Sequence, residues 1–545
     1  MITNALASAL SVQTDRFVHD RLPPLHQRSA MRYDAPELCI AAQANLVDVL
    51  LAKIAERGLL DRPFLRSDRI TLSYADATQR INRIAQVLTE EFKLVPGNRV
   101  LLRGGNSIGM ALAWLGTVKA GLIAVATMPL LRAKELTDII EKSQVALALC
   151  DASLLEELNT AKAQGQTLKT IVPFNLMSAP GSLANLCIEK NGEFPACLTA
   201  ADDIALMAFT SGTTGKPKAA VHTHRDVLAA CEAWPRYILK ATADDIVLGS
   251  PPLAFTFGLG GLLLFPMRAG ASVYFPSIAY TPEAMVRLIS EVHATICYTA
   301  PTFYRQMADF AKRQGTPTLR VCVSAGEALP DATRQLWMEA TGIDLLDGIG
   351  ATEMFHIFIS SVPGHTPQGA LGKVVPGYTA KVVDDQGQEV PCGTIGKLAV
   401  QGPTGCKYLD DPRQTSYVKD GWNYPGDAFK QDADGFFYYQ ARDDDMIITA
   451  GYNVGAPEVE DALLIHPAVA ECGVVGLPDE ERGMLIKAFV VLKPGHSATP
   501  ETCKMLQDHV KATLAPFKYP RQLTFVTQLP RTETGKLQRF KLRSL

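Results

Sequence analysis

The residues best suited to chemistry lie in one short loop, residues 210–218, which follows an apolar run at 204–209. The loop combines glycines with hydroxyl and ammonium side chains: Thr210, Ser211, Gly212, Thr213, Thr214, Gly215, Lys216 and Lys218. Glycines let a backbone approach an anion closely, and successive N–H groups, hydroxyls and cations can then surround it. We therefore predict that the loop binds the β- and γ-phosphates of a nucleoside triphosphate. The apolar run before it is predicted to be a buried strand.

Two alternatives for this loop were weighed. A P-loop needs four residues between its glycines, whereas only two separate Gly212 from Gly215 here. Pro217 also stands where a P-loop has a Ser or Thr for magnesium. A turn without function is the second alternative, but such turns rarely contain this many hydroxyls and cations.

Four further motifs follow in order along the chain. They are 348–353 (GIGATE), 424–427 (YPGD), 442–445 (RDDD) with Gly451 and Glu458 after it, and 530–536 (PRTETGK). Together with the loop they resemble the adenylate-forming superfamily, which includes acyl- and aryl-CoA synthetases, peptide-synthetase adenylation domains and firefly-type luciferases. The resemblance implies two steps. A carboxylate attacks the α-phosphate of ATP and releases pyrophosphate; a thiol then attacks the acyl-adenylate and expels AMP.

The resemblance also implies roles for individual residues. Lys536 is expected to be the catalytic cation of the first step, and Glu353, with Thr352 beside it, to hold Mg²⁺ against the phosphates. The other nucleotide contacts are expected from Ala325, Gly326, Glu327, Asp347, Gly348, Ile349, Asp427 and Arg442. Asp444 is expected to be a hinge between two domains.

The channel for the CoA thiol is expected to be lined by Ala450 and Gly451. Two alanines depart from the common pattern of the superfamily, because Ala441 and Ala450 stand where glycine is usual. The adenylation half of the reaction is therefore better supported than the transfer to a thiol.

The pocket for the acid is expected to be formed by Phe255, Thr256, Phe257, Gly258, Gly350, Met354 and His356. Aromatic rings and glycines make a flat slot, which suits an aromatic ring better than a long acyl chain. Ordinary core packing explains any single one of these residues equally well.

Residues 347–357, 515–521 and 15–24 resemble those of benzoate and 2-aminobenzoate CoA ligases. We therefore expect an ATP-dependent aryl-CoA ligase, with anthranilate as the favoured acid and benzoate or salicylate as alternatives. Thr256 or His356 could accept a hydrogen bond from an ortho amino group.

Other functions stay open at this stage. The enzyme could instead load an aryl group onto the phosphopantetheine of a carrier protein. A nucleotide-binding regulator without catalysis is disfavoured, because Lys536, Glu353, Asp427 and Arg442 are all present. The sequence does not decide whether the protein forms a homodimer.

Composition excludes several classes of partner. The net charge of the 545 residues is −3, and basic residues are mixed with acidic ones, so no nucleic-acid partner is expected. The eleven cysteines are scattered without a CxxC pair, which indicates neither a disulfide framework nor a zinc site. The most apolar stretch, 253–267, is too short to span a bilayer. We expect a reduced, cytoplasmic protein.

The elements that must position these residues alternate along the chain. Strand-like runs at 100–102, 122–126, 246–249, 272–275, 295–298 and 319–324 are separated by helical stretches. This alternation predicts an α/β fold with doubly wound, mixed sheets. Short alternating segments at 364–409 predict a small β-barrel-like lobe.

A compact α+β unit is predicted after Arg442, with helices at 458–464 and 500–514 and strands near 471–475 and 487–492. We therefore predict a large N-terminal domain, 1–442, and a small mobile C-terminal domain, 443–545, that carries the catalytic lysine.

Overall fold

The computed structural model describes residues 10–175, 179–210, 217–442, 445–449, 452–479, 482–515, 517–531 and 536–545. Five residues of the predicted phosphate loop lie outside this range: Ser211, Gly212, Thr213, Thr214 and Gly215. The predicted hinge residue Asp444 and the predicted channel residues Ala450 and Gly451 lie outside it as well.

The first sheet is parallel except at one edge. Its strands, in order across the sheet, are Thr170–Phe174, Leu147–Asp151, Arg99–Arg103, Ile123–Thr127, Ile204–Thr210 and Lys218–Thr223. The last two strands pair antiparallel and the others pair parallel. Arg99–Arg103 is buried along its whole length, as expected of a parallel strand covered on both faces.

The second sheet is larger and carries most of the predicted site at one edge. Its strands, in order, are Lys373–Val374, Ile357–Ser360, Leu345–Gly350, Val321–Ala325, Ile296–Thr299, Ile246–Gly249, Ser272–Tyr274, Pro63–Arg66 and Thr71–Ser73. The pairs from Leu345–Gly350 to Pro63–Arg66 are parallel, and the pairs at both ends of the sheet are antiparallel. The predicted mixed sheets are therefore confirmed.

Helices cover the sheets. The α-helices before residue 442 are Leu46–Glu56, Tyr74–Gln86, Ile108–Lys119, Ala133–Ser143, Leu155–Gln164, Leu183–Leu186, His224–Glu232, Thr256–Leu259, Phe265–Ala269, Pro282–Glu291, Pro301–Gln314, Asp331–Thr341 and Gln414–Tyr417. The second of these begins at a capping box in which Ser73 and Asp76 satisfy each other's backbone N–H groups. Ile108–Lys119 is buried on nearly every side and belongs to the core that both sheets share.

Several helical segments are not α-helical. Short 3₁₀ turns are formed by His19–Arg21, Leu25–Gln27, Pro36–Leu38, Ala152–Leu154 and Thr352–Met354, and π-helical turns by Val87–Glu91, Pro235–Leu239 and Gly260–Leu264. The last π-helical turn lies inside the apolar run at 253–267, which is therefore a broken, buried helix. No helix within the described ranges has both the length and the apolar character needed to cross a membrane.

The predicted barrel-like lobe is an antiparallel sheet. It contains Val418–Lys419, Trp422–Asn423, Gly396–Gln401, Asp427–Gln431 and Phe437–Arg442 in that order, and Thr379–Val383 pairs with Gly396–Gln401. Asp427 and Arg442 are direct partners across one antiparallel pair. This lobe therefore brings together two residues that the sequence separates by fourteen others.

The C-terminal part is an α+β unit with its own core. Its strands are Ile447–Thr449, Tyr452–Val454, Val469–Asp479, Gly483–Leu492 and Gln522–Phe525, and its α-helices are Ala456–Leu464, Pro500–Thr513 and Arg539–Leu542. A separate cluster of buried apolar residues holds it together, including Ile447, Val459 and Val474. The division of the fold into a large and a small domain is confirmed. The exact boundary at 442–443 stays a prediction.

Candidate active site

The predicted nucleotide and acid residues converge on the carboxyl ends of the parallel strands in the second sheet, where open α/β sheets usually bind ligands. Thr299, Ser324 and Asp347 are register partners on three neighbouring strands and form a polar row. Ser250 lies just after the next strand, and its hydroxyl is 2.6 Å from that of Thr299. The Ser324 hydroxyl is buried and has no hydrogen-bond partner among the described residues.

The two ends of the predicted phosphate loop lie side by side. Thr210 and Lys218 are register partners at the end of an antiparallel pair in the first sheet. The Thr210 hydroxyl is buried, and within the described part of the chain it has no hydrogen-bond partner. A hydroxyl in this condition is suited to a ligand, because an unsatisfied buried donor is costly.

Lys218 belongs to a three-residue polar group with Tyr408 and Glu353. Its Nζ donates to the Tyr408 hydroxyl at 2.9 Å and lies 3.6 Å from Glu353 Oε1. The Tyr408 hydroxyl donates to the same Oε1. Burial and the nearby Glu353 carboxylate raise the pKa of Tyr408, which keeps the phenol protonated and able to donate.

This group fits the predicted magnesium site. Glu353 is only 7% exposed, and both its contacts use Oε1. Its Oε2 has no partner recorded within the described ranges, so one carboxylate oxygen is available for a hard cation, which prefers such ligands. When bound, Mg²⁺ would link Glu353 to phosphate oxygens and neutralise part of their charge.

The turn that carries Glu353 is held by a buried histidine. His222 Nε2 donates to the carbonyl of Thr352 at 2.7 Å, so this nitrogen carries the proton. Burial lowers the pKa of His222 to about 4, and the imidazole is therefore neutral at physiological pH. We infer that His222 fixes the position of the Thr352–Met354 turn.

The backbone after this turn is strained. Phe355 has a φ of +69° and a ψ of −50°, and the N–H of His356 donates to the carbonyl of Met354 at 2.9 Å. This is a γ-turn, which is rare for a non-glycine residue and costs of the order of 1–3 kcal/mol. The turn buries Phe355 and His356 on the substrate side of the sheet end.

The predicted adenine residues form the ends of two adjacent parallel strands. Ala325 is buried and pairs in register with Gly348, while Gly326 follows with a φ of +96°. Asp347 is buried, and burial raises the pKa of its carboxyl to about 7. Its backbone is held by Ser360 and Ser361, whose hydroxyls both donate to the Asp347 carbonyl.

The Glu327 side chain has a different position from the one expected beside the adenine. Its carboxylate accepts from the Thr302 hydroxyl at 2.8 Å and from Arg531 Nη1 at 3.3 Å. Burial raises the pKa of Glu327, and these two donors oppose that shift. The carboxylate therefore contacts the C-terminal domain.

Asp427, Arg442 and Lys536 meet at one place. Arg442 Nη1 is 3.3 Å from Asp427 Oδ1 and donates to the Pro425 carbonyl at 2.8 Å. Much of the Lys536 side chain is exposed. Even so, surrounding protein desolvates its ammonium and lowers its pKa, while the carboxylates of Glu327, Asp427 and Glu353 act in the opposite direction.

Distance places Lys536 at the centre of the predicted site. A Cβ built on Gly326 would lie 3.6 Å from Lys536 Cε. The lysine therefore touches the strand end that is expected to bind the nucleotide, although 210 residues separate the two positions. In this arrangement the lysine can face an acid and the α-phosphate together.

The predicted acid pocket is a cluster of rings around His356. The imidazole lies 4.5 Å from Phe265, 5.3 Å from Trp234 and 5.5 Å from Phe257, measured between ring centroids. Tyr298 adds a fourth ring, 5.8 Å from Phe257. A flat aromatic wall of this kind suits a planar ligand.

Polar atoms are available inside this cluster. Neither ring nitrogen of His356 nor the Tyr298 hydroxyl makes a hydrogen bond within the described part of the chain, although all three are buried. Burial lowers the pKa of His356 to about 3, outweighing the nearby Phe257 backbone, so the ring is neutral. It can then donate through one nitrogen and accept through the other.

Glycines next to the cluster leave room for the rings. A Cβ on Gly260 would lie 2.7 Å from His356 Cδ2, and a Cβ on Gly261 would lie 2.6 Å from the Tyr298 ring. The predicted pocket residue Gly258 faces elsewhere, because its Cβ would lie 2.1 Å from the Pro252 carbonyl. Gly258 therefore allows backbone packing and does not shape the ring cluster.

The other predicted pocket residues surround this core. Phe255 precedes the Thr256–Leu259 helix and Thr256 is buried within it. Gly350 packs against the His356 carbonyl, and Met354 is fully buried with its carbonyl bound by the Thr404 hydroxyl. Their contribution to substrate binding stays a prediction.

Residues 51–407 match the family described as AMP-binding enzyme, and residues 458–536 match the AMP-binding enzyme C-terminal domain. The chain belongs to the AMP-binding enzyme family. Membership of the adenylate-forming superfamily, expected from the motifs, is thereby confirmed. As an AMP-binding enzyme the protein is an AMP-forming acid–thiol ligase, and ligases of this class use ATP, Mg²⁺ and CoA.

Several relatives of this AMP-binding enzyme act on aromatic acids, as their names state. The benzoate–CoA ligase of Thauera aromatica is 35% identical over 514 residues, which cover 93% of this chain and 97% of the relative. The anthranilate CoA ligase AuaEII, solved with anthranoyl-AMP, is 35% identical with a TM-score of 0.87 and covers 93% of this chain and 98% of its own. A benzoate CoA ligase from Burkholderia xenovorans LB400 is 30% identical with a TM-score of 0.83, over 92% of this chain and 100% of its own.

Sequence reasoning missed several residues of the site in this AMP-binding enzyme. Tyr408 follows no recognised motif, and only its neighbourhood to Glu353 reveals it. Trp234 and Phe265 lie in segments that look like ordinary core. His222 is a lone histidine in an apolar strand, where a structural role is the usual expectation.

Proposed function

We propose that the protein is an ATP-dependent aryl-CoA ligase, with anthranilate as its favoured acid. The observation that carries this proposal is the buried ring cluster around His356, which holds unpaired polar atoms within an otherwise aromatic wall. The resemblance to benzoate and anthranilate ligases supports the same class of acid.

The ring cluster favours a short, flat acid. Trp234, Phe257 and Phe265 occupy the space that an alkyl chain would need, and each ring lies within 6 Å of the imidazole. Trp234 is held in place because its indole N–H donates to the Ser360 hydroxyl at 3.0 Å. A fixed wall of this kind discriminates by size and shape.

An ortho amino group would satisfy the imidazole. Neutral His356 has one nitrogen that accepts a hydrogen bond, and an aniline N–H can supply one. Benzoate has no group that could do so, and it would leave the buried nitrogen unpaired. Salicylate, with an ortho hydroxyl, is the nearest competitor on this argument.

In the first step the chain's own residues position the reactants. Lys536 supplies a cation close to Gly326, where the acid carboxylate and the α-phosphate would meet. Asp427 and Arg442 lie where the ribose is expected, and Lys218 and Thr210 lie at the phosphate end. Catalysis then rests on placement and on positive charge, without a protein nucleophile.

The direct test compares acids and acceptors. AMP release and product mass are measured for anthranilate, benzoate, salicylate and octanoate, each with and without CoA. We expect an aryl-CoA thioester, with anthranilate turned over most efficiently and octanoate least. Turnover of octanoate alone would refute an aryl ligase, and an adenylate that ignores CoA would favour a carrier protein as the acceptor.

A matched pair of variants tests the ortho contact. His356→Phe keeps a ring of similar size but removes both nitrogens, and Thr256→Val removes only a hydroxyl from a residue of the same shape. We expect His356→Phe to lower the anthranilate-to-benzoate preference by roughly tenfold, in line with the loss of one buried hydrogen bond. If neither variant changes the preference, this contact is wrong.

The cellular setting is also part of the proposal. All eleven cysteines are free thiols, which agrees with a reduced, cytoplasmic location. Whether two copies associate is answered by measuring the mass of the protein in solution.

A further inference from the structure

One group of charged residues crosses from the C-terminal domain to the strand end beside the nucleotide site. Arg531 donates through Nη1 to Glu327 Oε1 at 3.3 Å and through Nη2 to Glu471 Oε2 at 2.9 Å. Glu327 belongs to the large domain and Glu471 to the small one. The guanidinium therefore joins a carboxylate in each domain.

The contact in the large domain is built from more than one pair. Thr302, at the start of the Pro301–Gln314 helix, donates to Glu327 Oε2 at 2.8 Å and accepts from Arg531 Nη1 at 3.3 Å. Both Glu327 and Arg531 are partly buried, with side chains 15% and 24% exposed. A charge-assisted contact that is shielded from water in this way is worth more than a surface pair.

A second contact supports the same orientation of the two domains. Arg305, on the same helix as Thr302, donates to the Ala470 carbonyl at 3.2 Å and lies 3.4 Å from the Leu464 carbonyl. Ala470 directly precedes Glu471. The two arginines therefore grip neighbouring residues from opposite sides of the boundary.

The contact lies next to the catalytic lysine in space and in sequence. Arg531 is five residues before Lys536, and Glu327 directly follows Gly326, which Lys536 Cε approaches. Holding Arg531 on Glu327 thus holds the segment that delivers Lys536. A shift of about 1 Å in such a group can cost two orders of magnitude in rate.

We propose that Arg531 is a positioning residue that binds Glu327 to hold Lys536 in place for adenylate formation, and that this contact is not needed for thioester formation. The inference rests on the proposed two-step reaction and adds to it. Arg531 acts through Lys536 and does not itself touch the reacting atoms.

The test measures the two half-reactions separately in the full-length enzyme. Adenylate formation is followed by pyrophosphate release with ATP and anthranilate, and thioester formation is followed from isolated anthranoyl-AMP and CoA. We expect Arg531→Ala and Glu327→Gln each to slow the first by about tenfold or more, as loss of a charge-assisted hydrogen bond predicts. The second should change by less than about threefold.

Matched variants separate positioning from general damage. Glu471→Gln neutralises the other carboxylate on the same guanidinium, and it does not cross the boundary, so it should slow adenylate formation less than Glu327→Gln. Arg531→Lys keeps the charge and should recover part of the lost rate. The double variant Glu327→Gln/Arg531→Ala should be no slower than Arg531→Ala alone, because both remove the same contact.

The outcomes are distinct. Equal losses in both half-reactions, or no loss in the first, would overturn the positioning role. If Arg531→Ala does not fold, the comparison of Glu327→Gln with Glu471→Gln decides in its place. Failure of the proposed function would look different, because the unaltered enzyme would then release no pyrophosphate with any aryl acid.

Discussion

Replacing Tyr408 with phenylalanine tests the polar group that supports the predicted magnesium ligand. The change removes one oxygen, which donates to Glu353 and accepts from Lys218. Hydrogen bonds to charged groups are worth about 1.5–3 kcal/mol each. Lys218 Nζ and Glu353 Oε1 already lie 3.6 Å apart and can pair directly once the oxygen is gone. We therefore expect a net loss of about 2 kcal/mol.

This loss should appear in stability and in nucleotide binding. For a domain of this size it corresponds to a fall in Tm of roughly 2–4 °C. Direct pairing with Lys218 also withdraws Glu353 from Mg²⁺ and Lys218 from the phosphates. The KM for magnesium–ATP should then rise by about tenfold, while the KM for the acid should stay within about twofold of the original.

Tyr417 provides a matched control. Its ring lies 5.8 Å from that of Tyr408, and its hydroxyl is buried without a hydrogen-bond partner in the described structure. Tyr417→Phe therefore removes the same atom from the same surroundings, and we expect an unchanged or slightly higher Tm and an unchanged KM. If Tyr408→Phe behaves like Tyr417→Phe in both measurements, the role given to Tyr408 is wrong.

Three more variants test other parts of the site. Lys536→Ala should slow pyrophosphate release by about a hundredfold or more but affect thioester formation from a preformed adenylate much less; equal losses would contradict its role in the first step. Burial raises the pKa of Asp347 from 3.8 to about 7, so the folded state loses up to about 4 kcal/mol as pH rises through this window. Asp347→Asn should therefore raise Tm at pH 8, by an amount that shrinks towards pH 4, and a difference that is constant with pH would refute this. Gly261→Ala should clash with the Tyr298 ring and raise the KM for the acid, whereas Gly105→Ala, with 3.9 Å of free space, should leave it unchanged.

Much of the fold follows from local patterns that the sequence displays directly. Ile246–Gly249 was predicted to the residue, and the strand after the Ser73 cap lies where the alternation of apolar runs places it. Short strands and caps depend on neighbouring residues, so they can be recognised without knowledge of the rest of the chain. The ends of most other elements shifted by one or two residues.

The site was only partly predictable. The motifs identify Glu353, Asp427 and Lys536 as separate residues, and the structure brings them to one cleft. Glu327 shows the limit of the method, because its motif suggested a contact with adenine whereas its carboxylate binds Arg531. Tyr408 and Trp234 carry no motif at all, and nothing in their neighbouring residues marks them.

By itself, the sequence determined the class of fold, the family and the residues that carry charge to the nucleotide. These depend on local spacing, which one-dimensional patterns record. Only the tertiary structure decided which side chains meet. The pairing of Tyr408 with Glu353, the ring wall around His356 and the bridge from Arg531 to Glu327 each join residues from distant segments. Such contacts depend on how the two sheets and the two domains pack, and no local pattern encodes that distance.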